Sequence, residues 1–533
     1  MSLRDNILTL LVLLPALAGA LVLMVPTRQA ARWVTLTATL VALGLSLLAL
    51  AFFNWHAGTA YAYAEGTPAG VVQLVQEADW IPAFNIRYKV GVDGLSLPLV
   101  LLTTFIFVLA AVASWNVEKM TKGYLALFLL LEAGVLGTFV ALDFFLFYVF
   151  FELSLLPMYF LIGVWGGPRK EYAAIKFFLY TLVGSIGLLV VLIGTYLLSR
   201  DVFPVAGGGP GGTFDLVRLA SAPMRDFFAR PENVGVARLF FLLAMLAFLI
   251  KIPAVPFHTW LPDAHVEAPT PMSMILAAVL LKMGGYGIFR VAYPLFPGAA
   301  KYLWLLVAVV GVVSILYGAL CAMSQTDFKR LVAYSSVSHM GFVVLGAAMM
   351  TPTAMNGALF MMVAHGVTSA MLFFVVGVAY DRLHHRQMNR MGGLAGAMPV
   401  FAGFSTVAIF ANLGLPGLCG FVGEFMVLLG SFQAARAGSP VLAAGGSVTA
   451  VYVLSALACL GVILSAGYNL WAMQRVFLGK PRPEHGELPE VTARERTVLT
   501  PLAIMCVLLG ILPAVFVFAF TDRTIAALAQ AFR

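Results

Sequence analysis

Glu152 in FYVFFELSLLPMYFLIGV, Lys251 in FLLAMLAFLIKIPAVP, Lys282 in MSMILAAVLLKMGGYGIF and Glu424 in PGLCGFVGEFMVLLG are ionisable residues set in otherwise apolar runs. A charge in hydrocarbon is costly unless it is paired, hydrated or neutralised, so such residues mark ion pathways and proton relays. His339 in YSSVSHMGF and His365 in MMVAHGVTSAML also sit mid-run, flanked by Ser or Thr. A neutral imidazole accepts a proton on one nitrogen while donating from the other, which suits both histidines to connect Lys282 with Glu424; the plainer reading of either alone is a satisfied interior histidine. Acids, lysines and histidines on separate segments read as a relay.

Glu152 has no charged neighbour within a turn on either side. Burial disfavours its charge and that of Lys251 unless the two meet. Such a pair is useful because its strength depends on separation: parting it lets the lysine shed a proton, and closing it recaptures one. The plainer reading is a static buried salt bridge. Lys282 lies too deep for snorkelling, a role that Arg290 fills at the helix end. Glu424 is the last acid within an apolar segment and can deliver a proton to water; alternatively it packs against backbone freed by a helix break. His258, Asp263 and His265 in FHTWLPDAH resemble a metal-ligand set only weakly; Asp263 and His265 are expected to cap the next helix and line a water inlet. Glu132 reads as a spare partner for Lys251, Asp143 as a loop residue and Lys176 as a snorkelling residue. The tract DRLHHRQMNRMGGL reads as a charged loop for protein contact.

The elements that must hold these residues are apolar blocks. Of 533 residues, 61% are apolar and 11% charged. Blocks of about 20 apolar residues match the thickness of a bilayer's hydrocarbon, and about fourteen of them occur. They lie near 5–26, 32–53, 94–115, 123–141, 143–165, 173–198, 237–257, 271–293, 302–323, 330–350, 355–380, 397–432, 447–474 and 497–520. The first is expected to be retained as a helix rather than cleaved as a signal peptide. The fold class is therefore an all-α polytopic membrane protein.

The net charge of +8 comes from 32 basic and 24 acidic residues. The basic residues cluster in short loops of one parity, at 27–32, 116–122, 166–172, 324–330, 381–394 and 475–496, which assigns those loops to the cytoplasm and both termini to the other side. The Gly-rich loop 201–236 departs from this pattern. Membrane orientation thus explains the charge, and nucleic acid is not an expected partner. The four cysteines lie in apolar segments without C-x-x-C spacing, so no disulfide, zinc or iron–sulfur site is expected. No convincing dinucleotide or phosphate loop is present, and no redox cofactor is expected in this chain.

Two segments look broken. Pro253 and Pro256 follow Lys251, and Pro416 with several glycines precedes Glu424; proline removes a ladder hydrogen bond and clashes with the preceding turn. Backbone opened at membrane depth survives only where protein or water receives it. Breaks at corresponding places in two halves suggest inverted repeats meeting near the midplane.

The stretches FELSLLPMYFLIGVWGG, KIPAVPFHTWLPDAHVEAPTPMSMILAAVLLKMGGYGIFR, QTDFKRLVAYSSVSHMGF and GFVGEFMVLLGSF resemble the antiporter-like membrane subunits of respiratory complex I, over nearly the whole chain. The resemblance implies fourteen helices, two inverted five-helix repeats and one proton channel driven by electron transfer elsewhere. It divides the chain into an N-terminal three-helix segment (1–122), a first repeat (123–295), a second repeat (296–475) and a C-terminal loop and helix (476–533). By motif, the coupling glutamate falls on Glu152, its partner lysine on Lys251, the central lysine on Lys282, the connecting positions on His339 and His365, and the exit acid on Glu424. Longer relatives and the Mrp-type sodium/proton antiporter subunit usually carry lysine where this chain has Glu424, and no long lateral helix follows residue 520. Membrane-bound hydrogenase subunits are the harder relatives to separate. The resemblance further implies FMN, iron–sulfur clusters and quinone in partner subunits. It implies neighbouring antiporter-like subunits and the lateral helix of the longest one as contacts, and a bacterial inner membrane with periplasmic termini.

Overall fold

The computed structural model describes residues 3–55, 71–204, 211–480, 482–483 and 487–532. Part of the Gly-rich loop, 205–210, lies outside the described residues.

The apolar blocks form helices because a helix satisfies its own backbone hydrogen bonds where no water can. The first part of the chain holds α1 (Leu3–Met24), α2 (Arg28–Phe52), α3 (Leu97–Ala113), α4 (Thr121–Val140), α5 (Phe144–Leu153), α6 (Leu155–Trp165) and α7 (Lys170–Ser199). Short α8 (Leu216–Leu219) and α9 (Ala222–Ala229) lead into α10 (Val234–Lys251), α11 (Trp260–Glu267) and α12 (Thr270–Ile275). A π turn at Leu276–Leu280 joins α12 to α13 (Leu281–Gly287), and a second at Ile288–Ala292 leads to α14 (Tyr293–Leu295) and α15 (Pro297–Tyr302). Then come α16 (Trp304–Met323), α17 (Phe328–Ala348), α18 (Pro352–Leu383), α19 (Leu394–Ala397), α20 (Pro399–Asn412) and α21 (Cys419–Gln433). The chain ends with α22 (Pro440–Ala443), α23 (Val448–Val476), α24 (Ala493–Ile511) and α25 (Ala519–Gln530).

Side chains set the helix starts. Asp143 accepts from the backbone N–H of Phe145 and Leu146 to cap α5, Asp327 caps α17 in the same way, and Thr492 with Glu495 forms a capping box on α24. Each satisfies donors that the first helical turn leaves open.

Among the described residues, twelve helices are long and apolar enough to cross a membrane, counting α5 with α6 and α12 through α14 as single spans. The two other expected segments are interrupted. Residues 397–432 become α20 and α21, split at 413–418, where Gly414 (φ +80°), Pro416 and Gly417 (φ +91°) end the helix. The last segment becomes α24 and a second apolar piece bent from it by 91°. The other expected break is also present: α10 stops at Lys251 and the chain turns through 252–259 before α11.

The apolar stretches of Thr270–Leu295 and Pro352–Leu383 are fully buried, and that of Phe328–Ala348 nearly so. They form the middle of the bundle and carry Lys282, His365 and His339. Around them, α16 packs on α17 and α23, α18 on α21, α7 on α10, and α1 on α4.

A β-hairpin of β1 (Gln73–Ile81) and β2 (Ile86–Val92) sits in the segment between α2 and α3, where no element was expected. Its turn is made by Asn85 in the left-handed region (φ 55°).

Candidate functional site

Lys282 follows the first π turn, and its side chain is fully buried. Its Nζ donates to the Ala277 carbonyl at 2.5 Å, within that turn, and lies 2.7 Å from Nδ1 of His365 on α18. The ring of His365 faces the ring of His339 on α17, with centroids 5.5 Å apart. Nε2 of His339 lies 3.6 Å from Oε1 of Glu424 on α21. All four residues are at most 2% exposed, so they form one water-shielded run from the middle of the bundle to the second break.

Gly414 makes room for the end of that run. A Cβ there would stand 2.4 Å from Glu424 Oε2, and the residue's positive φ already favours glycine. Past Glu424, a buried polar group lies around α23: Ser465 donates to Tyr468 at 3.1 Å, and Asn469 bonds Asn412 of α20 at 3.1 Å. Tyr468 is within electrostatic reach of Glu424. Sequence reasoning missed this group; buried Tyr and Asn spaced along an apolar helix were its only signal.

Glu152 lies in the last turn of α5, and Lys251 is the final residue of α10. The two feel one another's charge, yet they are not closed into an ion pair. Lys251 Nζ has no hydrogen-bond partner and stands 4.8 Å from the centre of the Phe151 ring. The Lys251 end of α10 is tied to α13: at Gly284 an added Cβ would lie 2.7 Å from Phe248 O and 2.9 Å from Ile252 N. The structure thus brings Lys282, His365, His339 and Glu424 together directly, and places Glu152 and Lys251 one helix packing away.

Several expectations are corrected. Arg290 does not serve a helix end; it is 1% exposed, donates to Asp93 Oδ1 at 2.6 Å and bonds Tyr286, whose hydroxyl donates to Phe139 O. Asp263 and His265 do not cap the next helix, because both lie inside α11, and α12 follows Pro269 without a side-chain cap. Asp263 instead pairs with Lys176 at 2.8 Å and Arg330 at 3.7 Å, so Lys176 is an ion-pair partner rather than a snorkelling residue. His265 is fully buried and stacked on Phe373, both ring nitrogens lack a partner, and it feels the charges of Lys282 and Lys329. That makes it a relay candidate beside the six expected residues. Glu132 is also fully buried, and neither carboxylate oxygen has a hydrogen-bond partner, from Lys251 or elsewhere. In the tract expected to be a charged loop, Arg382 lies in the last turn of α18 and makes a two-pronged bond to Glu495 within the chain. No cluster of three or more His, Cys, Asp or Glu able to hold a metal occurs among the described residues.

Fold and site define an antiporter-like helical membrane protein with a chain of titratable groups across its centre. Residues 141–451 match the family described as NADH:quinone oxidoreductase/Mrp antiporter, TM, and residues 35–142 match NADH-ubiquinone oxidoreductase chain 4, amino terminus. NADH-quinone oxidoreductase subunit M of Rhodobacter capsulatus is 42% identical over 526 residues, covering 96% of this chain and 94% of the relative. A chain of the respiratory complex I structure from Thermus thermophilus superposes with TM-score 0.82 at 31% identity, covering 99% of this chain and 100% of that one. A chain of the Mrp complex from Dietzia sp. superposes with TM-score 0.75 at 26% identity, and this chain covers 51% of it. The protein belongs to the family of NADH-quinone oxidoreductase subunit M and chain 4.

Proposed function

We propose that this chain is a proton-translocating membrane subunit of a NADH:quinone oxidoreductase, and that Glu152, Lys251, Lys282, His365, His339 and Glu424 carry its protons. The observation that carries the relay is the contiguous run from Lys282 Nζ through the two imidazoles to Glu424 Oε1. An ammonium bonded to His365 Nδ1 uses that nitrogen as acceptor, which leaves the ring proton on Nε2, on the far side of the ring. Transfer then proceeds by adding a proton at Nδ1 and releasing one from Nε2 towards His339. The 3.6 Å step to Glu424 exceeds direct hydrogen-bond reach and closes through a small rotation or a bridging water. In the other half, approach of Glu152 to Lys251 stabilises the ammonium and withdrawal favours loss of its proton; the observed open pair corresponds to the withdrawn arrangement.

The two breaks, one beside Lys251 and one before Glu424, support two inverted repeats spanning 123–295 and 296–475, with an N-terminal segment 1–122 and a C-terminal segment 476–533. Fourteen crossings result if the α20–α21 pair and α24 each count as one. The chain then lies in a bacterial inner membrane with periplasmic termini and contacts neighbouring antiporter-like subunits and the lateral helix of the longest one. FMN, iron–sulfur clusters and quinone belong to partner subunits, and no redox centre resides here.

The Mrp likeness favours one second reading, a sodium/proton antiporter subunit, with a hydrogenase-type complex as its redox variant. The relay consists of isolated titratable groups, whereas binding a desolvated small cation generally needs about six hard oxygen ligands. Sealed vesicles holding the intact complex should therefore pump protons on addition of NADH equally well with and without sodium. A strict sodium requirement, or sodium/proton exchange without an electron donor, overturns the proposal.

A further inference from the structure

At the end of the bundle where α10 and α16 begin, a cavity of about 520 Å³ is lined by Arg225 of α9, Arg238 of α10 and Lys301 of α15. Asp226 is the one carboxylate among the described residues of the lining, where cations are in excess. Among the described residues none of the three cations forms an ion pair, although each is partly buried. Arg238 is held by stacking on Tyr302, with its guanidinium carbon 3.5 Å from the ring centroid. The N-terminus of the 18-residue α10 adds its own partial positive charge beside Val234 in the wall.

What lies beneath the cavity identifies the ligand. Leu239 and Leu242 on α10, with Leu305, Leu306 and Val309 on α16, are exposed by 40% or more in the turns that follow. Deeper in, the turn that follows α10 is tied to α16, with Val255 N–H donating to Ser314 Oγ at 2.9 Å. Tyr302, itself 59% exposed, sits where aromatic side chains mark the boundary between headgroups and hydrocarbon. An inorganic anion would satisfy the cations and leave the apolar stripe unexplained. An amphiphile with an anionic head satisfies both.

We infer that this cavity binds the phosphodiester headgroup of an anionic phospholipid through Arg225, Arg238 and Lys301, with its acyl chains along α10 and α16. The site is separate from the relay and does not depend on the proposed function. Bound lipid would join α9, α10 and α15 at the end of α10 opposite the first break.

The test is native mass spectrometry of the intact membrane complex released from nanodiscs of phosphatidylcholine containing a minor proportion of phosphatidylglycerol. The combined change Arg225→Gln, Arg238→Gln and Lys301→Gln should lower this subunit's preference for phosphatidylglycerol by about tenfold or more. Arg225→Lys with Arg238→Lys, which keeps the charge, should retain it. Equal retention in the glutamine variant overturns the proposal. So does displacement of the lipid by inorganic phosphate, which would make the cavity a simple anion site. Crosslinking of Lys301 to a neighbouring subunit in the wild-type complex would also overturn it, by making the cavity a subunit interface. Should the glutamine variant fail to assemble, the wild type decides. Added phosphatidylglycerol, unlike phosphatidylcholine, should protect Lys301 from amine-reactive labelling several-fold, and absence of protection is the refuting result.

Discussion

Lys282 Nζ stands 2.7 Å from His365 Nδ1, although the two residues are 83 positions apart and on different helices. Neither has another side-chain hydrogen-bond partner among the described residues; Lys282 is completed by the Ala277 carbonyl, and His365 Nε2 is left open. The contact therefore has a donor side and a free side, as a transfer step requires.

Replacing Lys282 with methionine should lower NADH-driven proton pumping by about a hundredfold, the usual scale for losing a positioned proton-transfer group. Lys282→Arg keeps the charge but holds its proton too firmly, and should be almost as damaging. Pumping rates of the purified complex in proteoliposomes, normalised to assembled complex, check both.

Lys251→Ala should uncouple or stop pumping while assembly survives, because Lys251 Nζ makes no hydrogen bond whose loss would weaken the fold. Normal pumping by assembled variant complex would reduce the pair with Glu152 to a structural feature.

Glu424→Gln preserves shape but cannot exchange a proton, whereas Glu424→Asp can, so pumping should fall sharply in the first and partly in the second. Equal loss in both would indicate a packing role. Gly414→Ala should behave like a mild Glu424 variant, since the added methyl displaces the carboxylate.

Arg290→Ala should be the most destabilising of these changes, by about 3–5 kcal/mol, because it strands the buried Asp93 carboxylate. That loss should appear as poor accumulation of the subunit in the membrane. Arg290→Lys, which can still reach Asp93 but loses the fork geometry, should recover part of it.

Asp143, at the cap of α5 beside the hairpin, has its carboxyl pushed up to about 6, chiefly by burial. Between its ordinary value near 4 and about 6, the folded protein binds a proton that the unfolded chain does not, so this group makes stability fall as pH rises through that window. Asp143→Asn retains a capping oxygen and should flatten this part of a melting-temperature profile. An unchanged profile would place the titration elsewhere.

How much of this was legible in the sequence depended on range. The apolar blocks and both breaks follow from local chemistry, and the six residues proposed for the relay stand out because ionisable groups in hydrocarbon are conspicuous. Arg290 was misjudged because its partner Asp93 is 197 residues away, and nothing near Arg290 in sequence points to it. His265 reads as a cap because it lies between the first break and the next apolar block; its burial against Phe373 depends on α18, far along the chain. The hairpin is hard to read from sequence because its strands carry interspersed charges such as Glu77, Asp79, Arg87 and Lys89 and pair in an irregular register.

The π turn at Leu276–Leu280 has a last consequence. Its hydrogen bonds close over five residues instead of four, so it holds one residue more than an α-helical turn would. Everything beyond it is offset by about 100° around the helix axis, the angular share of one residue. Lys282 faces His365 because of that offset. Deleting any one of the five apolar residues would let the turn relax to an ordinary helix and swing the ammonium to another face, with no functional side chain altered. Substitutions in this stretch should therefore be tolerated far better than a change in its length: what it contributes is a count of residues, kept in phase with the helices around it.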